Sequence, residues 1–175
     1  MRLHQIRVEF DAEQDRLLML ISRSDGAEVR AWLTRRYVNL LWPLLLKLAE
    51  EVSPRIAGQA NQDARKALLG MEHVEATSRA DFSKPYQRVP RSMPLGEAPI
   101  LMTKIQTSRD PRGLPVVTMN PSQGQGVSLT LDKVLLHSIC RLLQTSVAKS
   151  DWGLDMKLSA DDLLHTDDTA PRVLN

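Results

Sequence analysis

Cysteine is nearly absent from this sequence, because Cys140 is the only one in 175 residues. A single cysteine excludes an intrachain disulfide and any metal site built from several thiolates. Chains without disulfides are typical of the reducing cytoplasm, so we predict a cytoplasmic protein.

Long apolar runs are also missing. The longest, from Leu40 to Leu46, is far shorter than the roughly 20 residues that a membrane-spanning helix needs. Residues 1–15 alternate apolar and charged side chains, so they lack the apolar core of a signal peptide. We therefore expect no membrane partner.

Aromatic residues and an excess charge of either sign are scarce as well. The formal net charge is +2, so no strong long-range field draws the chain to nucleic acid or to an anionic membrane surface. With three Trp, two Tyr and two Phe, the core must consist mainly of aliphatic side chains. The length fits one domain, or two small units that share a core.

The order of apolar and turn residues in the N-terminal part predicts three strands. Residues 5–10 alternate polar and apolar side chains, as a half-buried strand does. Two apolar segments, 17–21 and 29–33, predict further strands, and Gly26 between them indicates a hairpin turn. The simplest arrangement is a three-stranded antiparallel meander.

A similar pattern recurs later in the chain, because residues 115–147 resemble residues 17–49. An ungapped overlay aligns Gly124 with Gly26 and Asp132 with Thr34, and both of the last two residues can cap a helix. Spaced self-similarity is typical of one supersecondary unit used twice. We therefore predict an α+β fold of two antiparallel β-meander-plus-helix units in a pseudo-twofold arrangement, joined by a partly helical linker.

This interpretation divides the chain into four segments. They are a first βββα unit at 1–53, a linker at 54–99 with one helix at about 61–80, a second βββα unit at 100–152, and an acidic, flexible tail at 153–175. Asn61 or Asp63 is the predicted cap of the linker helix. Four prolines predict an extended connector after it.

The helix predicted after Thr34 runs to about Val52 and carries an unusually wide apolar stripe. Pro43 lies inside it, which predicts a kink or a start near Trp42. The stripe is wider than one small sheet can cover, so we expect part of it to lie in an interface. The predicted interface residues are Tyr37, Leu41, Trp42 and Leu45. Our leading hypothesis is a non-catalytic protein-interaction or scaffold module that forms a dimer or binds another protein.

A second hypothesis is binding of single-stranded nucleic acid on a sheet face. Proteins of this kind combine a cationic groove with aromatic residues on which bases stack. At the level of topology alone, repeated meander-and-helix units are similar to those of the Whirly and PUR single-strand-binding proteins, although no family motif occurs in these residues. The predicted contact residues are Arg7, Arg30, Trp32, Arg35 and Arg36.

No motif predicts a specific reaction, and we expect no cofactor. His137 and Cys140 are spaced to share one face of a helix, but zinc needs three or four ligands, so we predict no metal site. A deep pocket that gathers His137 with Asp132 or His73 would instead indicate an enzyme of unrecognised type. This is the third hypothesis.

Overall fold

The computed structural model of the chain describes residues 3–82, 84–86 and 92–158. Strands and helices are both present, so the predicted α+β class is confirmed. In chain order the elements are β1 (Leu3–Asp11), β2 (Arg16–Arg23), β3 (Glu28–Leu33), α1 (Arg35–Glu51), α2 (Pro54–Ala57), α3 (Gln62–Ser78), β4 (Ile100–Leu101), β5 (Lys104–Arg109), β6 (Pro115–Asn120), β7 (Val127–Thr130) and α4 (Lys133–Val147).

The strands form two sheets. In the first sheet β1, β2 and β3 are an antiparallel meander, and β4 pairs with β3 in parallel. The second sheet is the antiparallel meander β5-β6-β7. Each meander is followed by a helix, and both Gly26 and Gly124 have positive φ angles, which glycine adopts without a steric penalty. The pseudo-twofold relation between the two units stays a prediction.

The start of the predicted second unit, from residue 100 onward, is divided between the two sheets. Ile100 and Leu101 pair with Ala31 and Trp32 of the first sheet, whereas the second sheet begins at Lys104. Met102 lies between them, and it is 1% exposed. Burial of this side chain fixes the point at which the chain crosses from one sheet to the other.

The three long helices begin at residues whose side chains cap them. Thr34 Oγ1 accepts a hydrogen bond from Tyr37 N, and Asp132 Oδ1 accepts one from Leu135 N, as expected for N-cap residues. Asn61 caps α3 through Asp63 N and Ala64 N, and α1 continues through Pro43. The linker helix was predicted at about 61–80 and is observed as α3, after the additional short helix α2.

The two units share one hydrophobic core. Buried side chains of both sheets, α1 and α4 form a single cluster, which also contains Trp152, Met156 and Leu158. Residues 153–158 were predicted to belong to a flexible tail, but they include two of these core residues. The rest of that predicted tail, residues 159–175, lies outside the described residues. Within the described part of the chain, no helix combines the length and hydropathy required to cross a bilayer.

Candidate functional site

The face of the first sheet that points away from the core is the first candidate site. Leu17, Met19 and Ile21 of β2 lie in the core, so the alternate residues of β2 and their cross-strand partners lie on the opposite face. We call this the outer face. Its residues are Gln5, Arg7, Glu9, Leu18, Leu20, Ser22, Glu28, Arg30, Trp32 and Leu101.

An apolar row crosses three strands of the outer face. Leu18 of β2 pairs with Trp32 of β3, and Trp32 pairs with Leu101 of β4. Leu18 and Trp32 are partly buried, and Leu101 is 38% exposed. A solvated sheet face normally presents polar residues at such positions. The apolar row is therefore a surface that another molecule could cover.

The charged residues of the outer face are paired with one another. Arg7 and Arg30 lie on either side of Leu20 in the strand register. Arg7 forms an ion pair with Glu9, and Arg30 Nε lies 2.8 Å from Glu28 Oε1. Each arginine on this face is thus neutralised locally.

At the end farthest from the apolar row, the outer face is hydrogen-bonded to a segment that we call the strap. It comprises residues 84–86 and 92–99. Tyr86 donates a hydrogen bond of 2.9 Å to Glu28 Oε2, and Arg30 donates one of 3.2 Å to the Glu97 carbonyl. Glu28 is 1% exposed, so its carboxylate depends on these partners. Burial, followed by the neighbouring Glu28, raises the pKa of Tyr86.

The structure places Arg7, Arg30 and Trp32 together on the outer face. Arg35 and Arg36 lie in the first turn of α1, and both are exposed. The role predicted for these five residues in nucleic-acid binding stays a prediction.

The four residues predicted to form an interface lie in the core of this chain. Their exposures are 3% for Tyr37, 2% for Leu41, 7% for Trp42 and 1% for Leu45. Tyr37 also donates a hydrogen bond of 3.3 Å to the Lys104 carbonyl at the start of β5. The interface was predicted because the stripe is wider than one small sheet can cover, but two sheets and α4 contribute to the core that contains α1. Any interface on this helix must use other side chains.

A second candidate site is a polar cluster between α3 and α4. Glu72 is 1% exposed, and its Oε1 accepts a hydrogen bond of 2.8 Å from Ser53 Oγ. Its Oε2 lies 3.0 Å from Lys133 Nζ on α4. A buried carboxylate needs such a counter-charge, because removing an unpaired ion from water costs on the order of several kcal/mol. This pair therefore joins the two helices.

Next to it lies a histidine pair. His73 Nδ1 on α3 is 3.2 Å from His137 Nδ1 on α4, and the two rings are 6% and 0% exposed. Burial lowers the pKa of His137 to about 4, with the His73 and Lys133 charges acting in the same direction and Glu72 opposing them. Within the described residues, His137 Nε2 has no hydrogen-bond partner. The two histidines are 64 positions apart, and the sequence named both only as members of a hypothetical enzymatic pocket.

The geometry does not gather an enzyme-like pocket around these histidines. A cleft of about 720 Å³ lies between β1, residues 80–82 and 84–86, and α4, and neither histidine lines it. Asp132 lines a different cleft and caps α4. Burial raises the pKa of the Cys140 thiol to about 12, so this thiol is not a reactive nucleophile. In the described ranges, no three His, Cys, Asp or Glu residues are placed to hold a metal ion.

Comparisons of the chain with protein-family models, curated proteins and solved structures found no match. The function must therefore be inferred from the chain's own surfaces. The outer face and the histidine pair are the two features that call for a functional explanation.

Proposed function

We propose that this protein is a non-catalytic interaction module that self-associates through the outer face of the first sheet. The observation that carries this proposal is the apolar row Leu18, Trp32 and Leu101 at facing positions of three strands. Tryptophan is enriched among residues that dominate binding energy, because it buries a large rigid surface. Packing a second copy against this row would remove its exposed apolar area from water.

The charges of the outer face favour a second copy over a polyanion. The face carries Arg7 and Arg30 together with Glu9 and Glu28, so its formal charges balance. A face with both signs can be complementary to itself across a twofold axis, where the same patch is used by both subunits. A nucleic acid would instead meet the Glu9 carboxylate beside Arg7, and Arg30 is already paired with the buried Glu28.

Light scattering over a range of micromolar concentrations tests this proposal. The unaltered chain should have a mass above that of one chain, and Leu101→Asp should return it to the monomer because a charge would be buried in the interface. Leu40→Asp is the matched control, since Leu40 is 55% exposed on α1. A strict monomer at every concentration contradicts self-association.

A second candidate function, binding of single-stranded nucleic acid, is favoured by Trp32 lying on the same face as Arg7 and Arg30. Fluorescence anisotropy with a labelled single-stranded oligonucleotide tests it. Under this alternative the unaltered chain binds at low salt with a strong salt dependence, and Trp32→Ala weakens binding. Absence of binding at low salt rejects it.

A further inference from the structure

The histidine pair lies where α3 meets the rest of the molecule. Helix α3 packs against α4, α2 and α1. The loop before it, residues 58–61, and Arg79 after it are mostly exposed. The contacts of its buried face therefore decide whether α3 stays in place.

The geometry of the pair allows only one proton between the two facing nitrogens. At 3.2 Å, one Nδ1 must donate and the other must accept. Because a buried N–H without an acceptor is rarer than a buried lone pair without a donor, we assign the shared proton to His137 Nδ1. Uptake of a proton by His137 would place a second N–H at Nε2, where the described residues offer no acceptor, and uptake by His73 would direct two N–H groups at each other.

The groups around the pair make a buried positive charge unfavourable. Lys133 precedes His137 by about one helical turn, and its ammonium already forms an ion pair with Glu72 Oε2. On the side of α1 and α2, Glu50 forms an ion pair with Arg65 of α3, Ser53 donates to Glu72, and Arg55 is exposed. The Glu72 carboxylate would thus have to neutralise both the Lys133 ammonium and any imidazolium formed on the pair.

From this arrangement we propose that the His73–His137 pair is an acid-sensitive latch, which holds α3 against α4 at neutral pH and releases α3 on acidification. Release separates the buried side of α3, including Leu69 and Ala76, from the body. The strap limits the movement, because Tyr86 donates a hydrogen bond to Glu28 of β3 and the Pro85 carbonyl accepts one from Gln5 of β1. The latch is independent of the proposed function.

The sign of the effect follows from the protonation states. The closed state holds His137 with a pKa of about 4, whereas a solvated histidine has its ordinary pKa of about 6.5. The open state therefore binds more protons between these two values, and closure weakens as the pH falls through this window. For His137 alone, the opening equilibrium should rise roughly 20-fold between about pH 7 and about pH 5.

Hydrogen–deuterium exchange of the full chain at these two pH values tests the latch, with rates corrected for intrinsic chemical exchange. Amides of α3 should lose protection at the lower pH while those of β2 keep theirs. Unchanged protection of α3 overturns the proposal. Simultaneous loss in α3 and β2 also overturns it, because the molecule would then be unfolding as a whole.

A variant identifies the titrating groups. In His73→Asn together with His137→Asn, each amide can replace an Nδ1 contact but does not titrate, so the pH dependence of α3 exchange should disappear. His4→Asn is the matched control, because His4 is exposed on β1 and should leave the dependence unchanged. Equal pH dependence in the double variant and the unaltered chain overturns the proposal. Should the double variant not fold, a titration of the ring protons by NMR in the unaltered chain decides, because α3 opening must accompany uptake of a proton by the pair.

Discussion

At position 126 the backbone leaves no room for a side chain. A Cβ there would overlap Met119 O and Asn120 Oδ1 and would lie 2.8 Å from Asn120 Cα. Two of these three atoms belong to the backbone of β6, which cannot move without disturbing its pairing with β7. Glycine is thus required by close approach of the chain to itself.

Gly126→Ala should therefore destabilise the protein by about 1–3 kcal/mol, the usual cost of overpacking, and the midpoint of urea unfolding measures it. Gly58→Ala is the matched control. A Cβ at Gly58 meets only the Pro54 carbonyl, at 3.6 Å, which is an ordinary contact. The control should keep its midpoint or rise slightly. Equal midpoints for both variants would contradict the steric argument.

Among the elements, the strap depends on a few hydrogen bonds to the first sheet. Tyr86→Phe removes the donor to the buried Glu28 carboxylate, and hydrogen bonds to charged groups contribute about 1.5–3 kcal/mol. Urea unfolding should show a loss of this size. Tyr37→Phe is the control, because its hydroxyl donates to a neutral carbonyl at 3.3 Å and should cost only about 0.5–1.5 kcal/mol. A smaller loss for Tyr86→Phe than for Tyr37→Phe would contradict the role of the strap.

Sequence reasoning located the elements whose signals are local. Thr34 and Asp132 were predicted as caps because a capping side chain binds an amide only three residues away. Glu28 and Tyr86 are 58 positions apart, and nothing in the local pattern of either residue encodes their contact. Sequence reasoning named His73 and His137 as candidates, but only the packing of α3 on α4 shows that their rings face each other.

For the whole molecule, several contacts and a shared core join the two units. Ser146 of α4 donates a hydrogen bond of 2.9 Å to the Val8 carbonyl of β1. Trp152 donates to Asp15, and its ring packs edge-on against Phe10 at 5.8 Å between centroids. Because the core residues form one cluster, we expect the two sheets to unfold together.

A core substitution in one sheet should consequently weaken the other. Leu129→Ala in β7 removes a side chain that is 4% exposed and should cost about 2–5 kcal/mol through the cavity it leaves. Hydrogen exchange by NMR should show the same loss of protection for Met19 in β2 of the first sheet as for Val117 in β6 of the second sheet. Thr130→Val, an isosteric change at a neighbouring exposed position, should change protection in neither sheet. If only the second sheet lost protection, the two units would unfold independently. A ligand bound on the outer face would then leave the stability of β5-β6-β7 unchanged.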